Sequence, residues 1–518
     1  MNDTTLATPT ERMHGADSVR ALINAACLVA TCALPLGCRR ADPGPDLQIV
    51  GESTRVRRED PVPRATPWLV EGRMQLVAAL GETLGLQIRH RTPGSVSLTI
   101  AAAAGVAVRT YTVESYAVTR ASTDLYCGGR GGSYADGLSP ATAPSSDPAY
   151  VEVSVPTAAI PGTYTGELVV GAQTLPVSLT IARVVLPPLA TGRVWAYEDP
   201  RELAWAASTP PDPANVSSSE RACIDTFRSY GVLLSPDLHL DWFGPRKELL
   251  AGVRDLPVVI PTDPATVGDA VRAWIDKTRG TGMVPFAIPI DEPSTPEARE
   301  KVIALARAVR AAGGGPATFR FAVTDDPRPE YGDLIDLYIS LRTRRDAGGA
   351  QWTYNGAPPR AGSVVLDAAT PGTRTWGWIG YRWSIPTWYV WDALYWHDRH
   401  NRKSDPMERR ALDVRVDPTS FDGGEDHGNL DGVLALPLAS GGCQPTLRLA
   451  ALRRGLQDRQ LIELAAACNA DATNAVVDRL VPTALGDAPP KGDPAWPTDE
   501  AAWEAARRKL LQLADCKS

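Results

Sequence analysis

Several large classes of protein are set aside by what this chain lacks. It has no CxxC pair, and its eight cysteines do not cluster with its six histidines, so no structural zinc module is proposed and no metal or cofactor is expected. His397 and His400 share one helical face by spacing, and the expectation is a solvated pair rather than a metal site. No uninterrupted apolar run is long enough to span a bilayer. No apolar strand-like segment is followed by a glycine-rich phosphate loop, which argues against a nucleotide-binding sheet. A formal net charge of -7 gives no electrostatic reason to expect nucleic acid as a partner.

What is present is a long chain of ordinary globular composition. Its 518 residues, 44% of them hydrophobic and 22% charged, exceed one small core and predict two or three domains. Glycine and proline, at 44 and 45 residues, suit many loops and short strands.

The first 38 residues have the layout of a secretory leader. Ala21 to Leu36 is apolar, Arg12, His14 and Arg20 precede it, and Gly37-Cys38 follows. Cysteine directly after a small residue resembles the lipobox of bacterial lipoproteins, with Cys38 acylated and membrane-attached. Pro35 stands where leucine is usual. A buried apolar helix is the alternative. Removal of the leader and acylation of Cys38 leave Cys127, Cys223, Cys443, Cys468 and Cys516, an odd number that cannot all pair internally. Cys468 and Cys516 each end a predicted helix and could meet in an oxidising compartment.

Residues 39–66 are polar and proline-rich and predict a tether. Residues 67–188 predict a β-sandwich, from alternating segments at 96–101, 108–119, 150–156, 165–171 and 175–187 separated by Gly/Pro/Ser punctuation. A long loop is expected over 128–148. Residues 189–440 alternate buried-type strands (193–197, 231–236, 256–261, 283–290, 318–323 and 334–341) with helical patterns at 219–230 and 265–278. That alternation predicts a (β/α)8 TIM-like barrel, with a doubly wound open sheet as the other possibility. Residues 441–518 predict a C-terminal helical tail. In it Leu449, Leu452 and Leu456 share a face, and Thr498 is expected to cap the last helix.

The strongest chemical signal is Ile288-Pro289-Ile290-Asp291-Glu292-Pro293. An apolar strand ends in two carboxylates, followed by a helix capped at Ser294 or Thr295 with Pro296 near its start. In a parallel barrel the C-terminal strand ends form the active-site rim. Two carboxylates confined there should raise one pKa and keep a proton available, as glycoside cleavage requires. Adjacent residues suit a substrate-assisted variant, in which the sugar's own 2-acetamido oxygen attacks. Asp291 would then steady the acetamido group and Glu292 act as general acid/base. The alternative is acidic decoration of a helix N-terminus.

The second signal is aromatic. Seven of the fourteen tryptophans fall between 352 and 396, with Tyr354, Tyr381, Tyr389 and Tyr395 among them. Indole and phenol faces pack on sugar rings, although a ligand-free core explains any single one equally. Glu198, Asp199, Asp237, Asp241, Asp325 and Asp326 lie near predicted strand ends and are expected chiefly as caps.

These segments in this order resemble glycoside hydrolase family 123. The likeness lies in 133–140, 151–170 and 179–187 of the sandwich, in 290–293, 352–358 and 374–398 of the barrel, and in 431–437 and 445–458 near the C-terminus. It implies a retaining, substrate-assisted β-N-acetylgalactosaminidase-type hydrolysis with Asp291 and Glu292 as the catalytic pair. It also implies Tyr354 at the acetamido carbonyl, with Trp352, Trp378 and Trp396 at substrate-binding aromatic positions. The implied substrate is a glycan containing an N-acetylated amino sugar. The chain departs from the pattern at Ala450, Arg454, Gln457 and Arg459, and at Leu436-Pro437-Leu438. Those departures leave open a non-catalytic carbohydrate-binding or structural lipoprotein on the same scaffold, or a hydrolase of another sugar.

Overall fold

Alternating burial along the early strands builds two sheets that pack face to face. The computed structural model of the protein describes residues 47–61, 66–90, 94–100, 105–123, 128–208, 212, 214–345, 351–397, 414–423 and 426–517. Cys38, the apolar leader and Cys127 lie outside them. The strands are β1 Leu47–Gly51, β2 Leu69–Val70, β3 Arg73–Leu80, β4 Thr83–His90, β5 Val96–Ile100, β6 Ala107–Val118, β7 Gly132–Pro140, β8 Ala149–Ser154, β9 Gly162–Val170 and β10 Gln173–Val185. They form two five-stranded sheets, β1-β4-β8-β6-β7 and β2-β3-β10-β9-β5. Met74, Leu86, Ile88, Val151 and Leu179 fill the space between them. Along β10 every second residue from Val177 to Ile181 is buried, the period-two pattern of a sheet with one covered face.

Two sequence expectations change here. Residues 47–51, assigned to a tether, are strand β1, paired antiparallel with β4. Leu47, Ile49 and Val50 enter the cores, which the polar residues around them obscure. The stretch expected as a loop over 128–148 contains β7, whose nine residues pair with β6.

Eight short parallel strands follow: β11 Val194–Tyr197, β12 Leu233–Ser235, β13 Asp255–Pro257, β14 Val284–Ala287, β15 Arg320–Val323, β16 Leu337–Ile339, β17 Gln351–Tyr354 and β18 Trp388–Val390. Their order is β12-β11-β18-β17-β16-β15-β14-β13. Leu238, just past β12, makes a parallel bridge to Val258, just past β13. Its N–H donates to the Pro257 carbonyl at 3.1 Å and its carbonyl accepts from the Val259 N–H at 2.9 Å. That bridge closes the ring and excludes the open-sheet alternative. The barrel is irregular. Helices α1 Pro200–Ala206 and α2 Ser218–Ser229 follow β11, α3 Phe243–Arg246 follows β12, α4 Val267–Thr278 follows β13, and α5 Pro296–Ala311 follows β14. A single 3-10 turn, Pro329–Tyr331, stands where a helix after β15 would be, and α6 Thr375–Arg382 precedes β18. Trp195, Phe286, Trp352 and Phe321 belong to the core of this barrel.

The C-terminal helices are α7 Leu447–Cys468, α8 Ala470–Leu480 and α9 Glu500–Ala514. Within this C-terminal tail, α7 is a core helix. Every residue of α7 from Leu447 to Asp458 is buried, on all faces. Helix α7 passes close to α6: a Cβ on Gly377 would lie 1.7 Å from the Gly455 carbonyl oxygen, so glycine is required at that crossing. The charged residues of α7 point into protein. Arg448 pairs with Asp136 at 2.8 Å, Arg453 with Glu152 at 2.7 Å, and Arg454 with Glu82 at 2.6 Å and Glu504 at 3.0 Å. Arg454, one of the departures from the family pattern, is thus answered by two carboxylates. The cap of α9 is Asp499, one residue after Thr498, and accepts from the Ala501 N–H. Disulfides join Cys468 to Cys516 and, without any sequence signal, Cys223 to Cys443.

Candidate active site

The C-terminal ends of β12, β14, β15, β17 and β18 carry the polar residues of the barrel mouth. Beyond β14 the chain turns sharply, and Glu292 takes a positive φ of 42°. A non-glycine residue there carries backbone strain of roughly 1–3 kcal/mol, held only where neighbours over-determine it. The Thr324 hydroxyl is such a neighbour. It accepts from the Glu292 N–H at 2.7 Å and donates to Asp291 Oδ1 at 2.6 Å. One side chain at the end of β15 therefore fixes the backbone of one acid and the carboxylate of the other. Tyr354, at the end of β17, donates its hydroxyl to Glu292 Oε1 at 2.8 Å.

These contacts decide between the two sequence readings. Helix α5 is capped by Thr295, whose hydroxyl accepts from the Ala298 N–H at 3.2 Å, with Pro296 in its first turn. The Thr295 cap is worth about 1 kcal/mol to the helix. The partners of Asp291 and Glu292 lie at the ends of β15 and β17, not on the first turn of α5, so the pair is a feature of the barrel mouth.

The carboxyl with the raised pKa is Asp237, beyond β12. Burial, reinforced by the charge of Asp291, pushes it up to about 7. Leu238 beside it is pinned by the bridge that closes the barrel. The carboxyl that confinement lifts at the mouth is thus a residue outside the adjacent pair for which the sequence predicted it. Burial and the charges of Glu292 and Asp291 also push Tyr354 far above the ordinary phenol value, which keeps it a donor. Burial with Asp237 and Asp291 does the same to Tyr389 on β18.

A cavity of about 280 Å³ opens beside the pair, lined by Glu292, Ser294, Asp325, Asp326, Tyr354 and three arginines, Arg328, Arg342 and Arg360. Asp325 is committed to Arg328 and to the Tyr331 hydroxyl, at 2.6 and 2.7 Å. Asp326 holds Ser340 and, at 3.3 Å, Arg342. Asp199 caps α1 and binds Arg201.

The tryptophans named from sequence do not gather here. Trp378 is wholly buried, its Nε1 donating to Asp458 at 2.9 Å and its ring meeting Trp503 edge to face. Trp396 is buried and donates to the Ala435 carbonyl at 3.0 Å. Trp352 is 2% exposed inside the barrel, edge-on to Phe286. All three are packing residues, because each indole face is covered by protein. His397 is not solvated either. It is buried against Glu202 at 2.5 Å, while His400 lies outside the described residues. Thr324 was missed: a threonine ending a strand carries no signal of its own. Asp237, expected from the sequence chiefly as a cap, is instead the raised carboxyl of the mouth.

Among the described residues no group of three or more His, Cys, Asp or Glu is placed to hold a metal ion. No family model matches the sequence, and no curated protein sequence does. Among solved structures, the chain is similar to a family 123 glycoside hydrolase from Clostridium perfringens described for glycolipid glycan hydrolysis. The two share 12% identity with a TM-score of 0.63, over 90% of this chain and 97% of that one. A glycosyl hydrolase family 2 member from Bacteroides cellulosilyticus aligns at 10% identity with a TM-score of 0.27, over 61% of this chain and 44% of that one, too loosely to bear on the argument. The first likeness establishes a shared fold, from sandwich through barrel to C-terminal helices.

Proposed function

We propose that the protein is a glycoside hydrolase that removes an N-acetylated amino sugar from a glycan by substrate-assisted, retaining hydrolysis. The observation that carries this reading is the Thr324 hydroxyl bonded to both Asp291 and Glu292 at the mouth of a closed barrel. Two consecutive residues at one strand end approach a sugar from one side. They are poorly placed to straddle its bond as a separate acid and nucleophile must. Attack by the substrate's own acetamido oxygen removes that requirement. In this scheme Asp291, as carboxylate, accepts the acetamido N–H and steadies the charge that develops as the ring closes. Glu292 protonates the leaving oxygen and then takes a proton from the water that opens the intermediate. Tyr354 donates to the Glu292 carboxylate that forms when the proton leaves. Asp237 holds a proton below about pH 7, which spares Asp291 a second negative charge nearby.

The test is release of chromophore from aryl β-N-acetylhexosaminides, with Glu292→Gln beside the native protein. Failure to turn over both the galacto and the gluco forms would end the substrate assignment. The non-catalytic alternative is motivated by the altered C-terminal positions; one of them, Arg454, has a packing role, paired with Glu82 and Glu504 inside the core.

We further propose export and lipid attachment through Cys38. The disulfides Cys223–Cys443 and Cys468–Cys516 support an oxidising compartment. Radiolabelled palmitate incorporated by the native chain and absent from Cys38→Ser is the expected result. Equal labelling of both would refute it.

A further inference from the structure

The cavity beside Glu292 is lined by three acids and three arginines, and one of the arginines, Arg360, is left unanswered among the described residues. Arg328 is held by both oxygens of Asp325, at 2.6 and 3.0 Å. The Arg342 guanidinium has one ion pair among the described residues, to Asp326 at 3.3 Å, and its side chain is 63% exposed. Arg360 has no carboxylate within ion-pair distance among the described residues, and its buried Nε has no hydrogen-bond partner among them. The Arg360 backbone is fixed: its carbonyl accepts from the Leu485 N–H at 2.8 Å and its N–H donates to Ala357 at 3.0 Å. A guanidinium with a buried, unanswered donor costs free energy unless something supplies an acceptor. The planar fork of arginine matches an oxyanion in two-point contact. Glu292 lines the same cavity but gives its oxygen to Tyr354 rather than to Arg360.

We propose that this cavity receives an oxyanion substituent of the substrate glycan, a sulfate or a carboxylate, bound by Arg360 with Arg342 beside it. The substrate is then an acidic amino-sugar glycan rather than a neutral one. The inference rests on the reading of Glu292 as the acid/base of a hydrolase.

The experiment compares kcat/KM for 4-nitrophenyl N-acetyl-β-hexosaminides that are neutral or carry sulfate at O3, O4 or O6, and for N-acetylhexosaminyl disaccharides ending in a uronate. One acidic substrate should exceed its neutral counterpart by about tenfold or more, the scale of one charge-assisted contact. The sulfated and uronate arms tell which group is taken. That preference should collapse in Arg360→Gln, survive in part in Arg360→Lys, and persist in Arg272→Gln on the exposed face of α4. Equal rates on acidic and neutral substrates, or a preference that survives Arg360→Gln, overturn the proposal while leaving the hydrolase reading intact. Should no glycoside be turned over, the hydrolase reading fails. Calorimetry then reads the inference separately: sulfated N-acetylhexosamine must bind more tightly than the neutral sugar, and the difference must vanish in Arg360→Gln.

Discussion

The barrel mouth and the seam around α7 are both rich in carboxylates, and they treat them in opposite ways. At the seam each buried acid meets guanidinium. Asp458 meets Arg374 at 2.8 Å, Glu504 meets Arg374 and Arg454 at 2.8 and 3.0 Å, and Glu82 meets Arg454 and Arg507. Burial alone would raise Glu504, yet Arg454, Arg374 and Arg507 hold it far below the usual carboxylate range. At the mouth, no arginine lies within ion-pair range of Asp237, Asp291 or Glu292 among the described residues. Asp291 accepts from the Thr324 hydroxyl and Glu292 from the Tyr354 hydroxyl. Glu504 is locked to guanidinium, whereas Asp237, raised to about 7, is placed to exchange a proton near neutrality; the proposed chemistry belongs to the mouth, while the seam joins the sandwich to the C-terminal helices.

The largest expected effect tests the mouth. Glu292→Gln keeps the size and the acceptor for Tyr354 but loses the transferable proton, so kcat/KM on an aryl glycoside should fall by about 10²–10⁴. Thermal unfolding should change little. A large loss of stability with activity retained would reverse the roles assigned to the two regions. Next comes the seam. Arg454→Gln leaves Glu82 and Glu504 short of a buried partner and should cost about 3–5 kcal/mol of stability by denaturant titration. The folded fraction should keep its KM. A smaller effect is expected of Thr324→Val, which removes both contacts to the acids. Its kcat should fall about 10- to 100-fold, for misplacement of two groups rather than loss of one. A rise in KM alone, with kcat unchanged, would show that the hydroxyl binds substrate instead of positioning the acids.

The two regions also differ in how far the sequence discloses them. Asp291 and Glu292 were legible because local rules converge on them: an apolar strand, two acids, a proline and a cap, all within ten residues. The closed barrel was legible from six of its strands. Strands β17 (Gln351–Tyr354) and β18 (Trp388–Val390) were obscured because their tryptophans and tyrosines read as part of a sugar-binding cluster. The seam was hidden because its partners are remote. Arg454 and Glu82 lie 372 positions apart, and a helix dense in arginine resembles a solvated face until those acids arrive. The tryptophans misled for a related reason. An indole covered by Trp503 and bonded to Asp458 has the same one-letter code as one that stacks on a sugar. Composition marks where flat apolar surface is needed, and only the fold says what covers it.

The smallest expected effect is the sharpest test of the contrast, because it concerns one proton. Asp237 is raised from 3.8 to about 7, by burial first and by Asp291 second. A raised folded-state pKa means that the folded protein holds this proton more tightly than the unfolded chain. The associated stabilisation is complete below the unfolded value near 4 and fades as pH rises through about 7. In the reaction, ionised Asp237 places a second charge beside Asp291, so kcat/KM should decline on a basic limb centred near 7. Asp237→Asn retains the neutral shape at every pH. It should flatten both the limb and the fall in stability between about pH 4 and pH 7 while shifting neutral-pH turnover only a few-fold. Glu504 at the seam, held well below the usual carboxylate range by its arginines, should leave that limb where it is. A limb that persists unchanged in Asp237→Asn would assign the titration to another group and dissolve the distinction between exchangeable and locked charge on which the comparison stands.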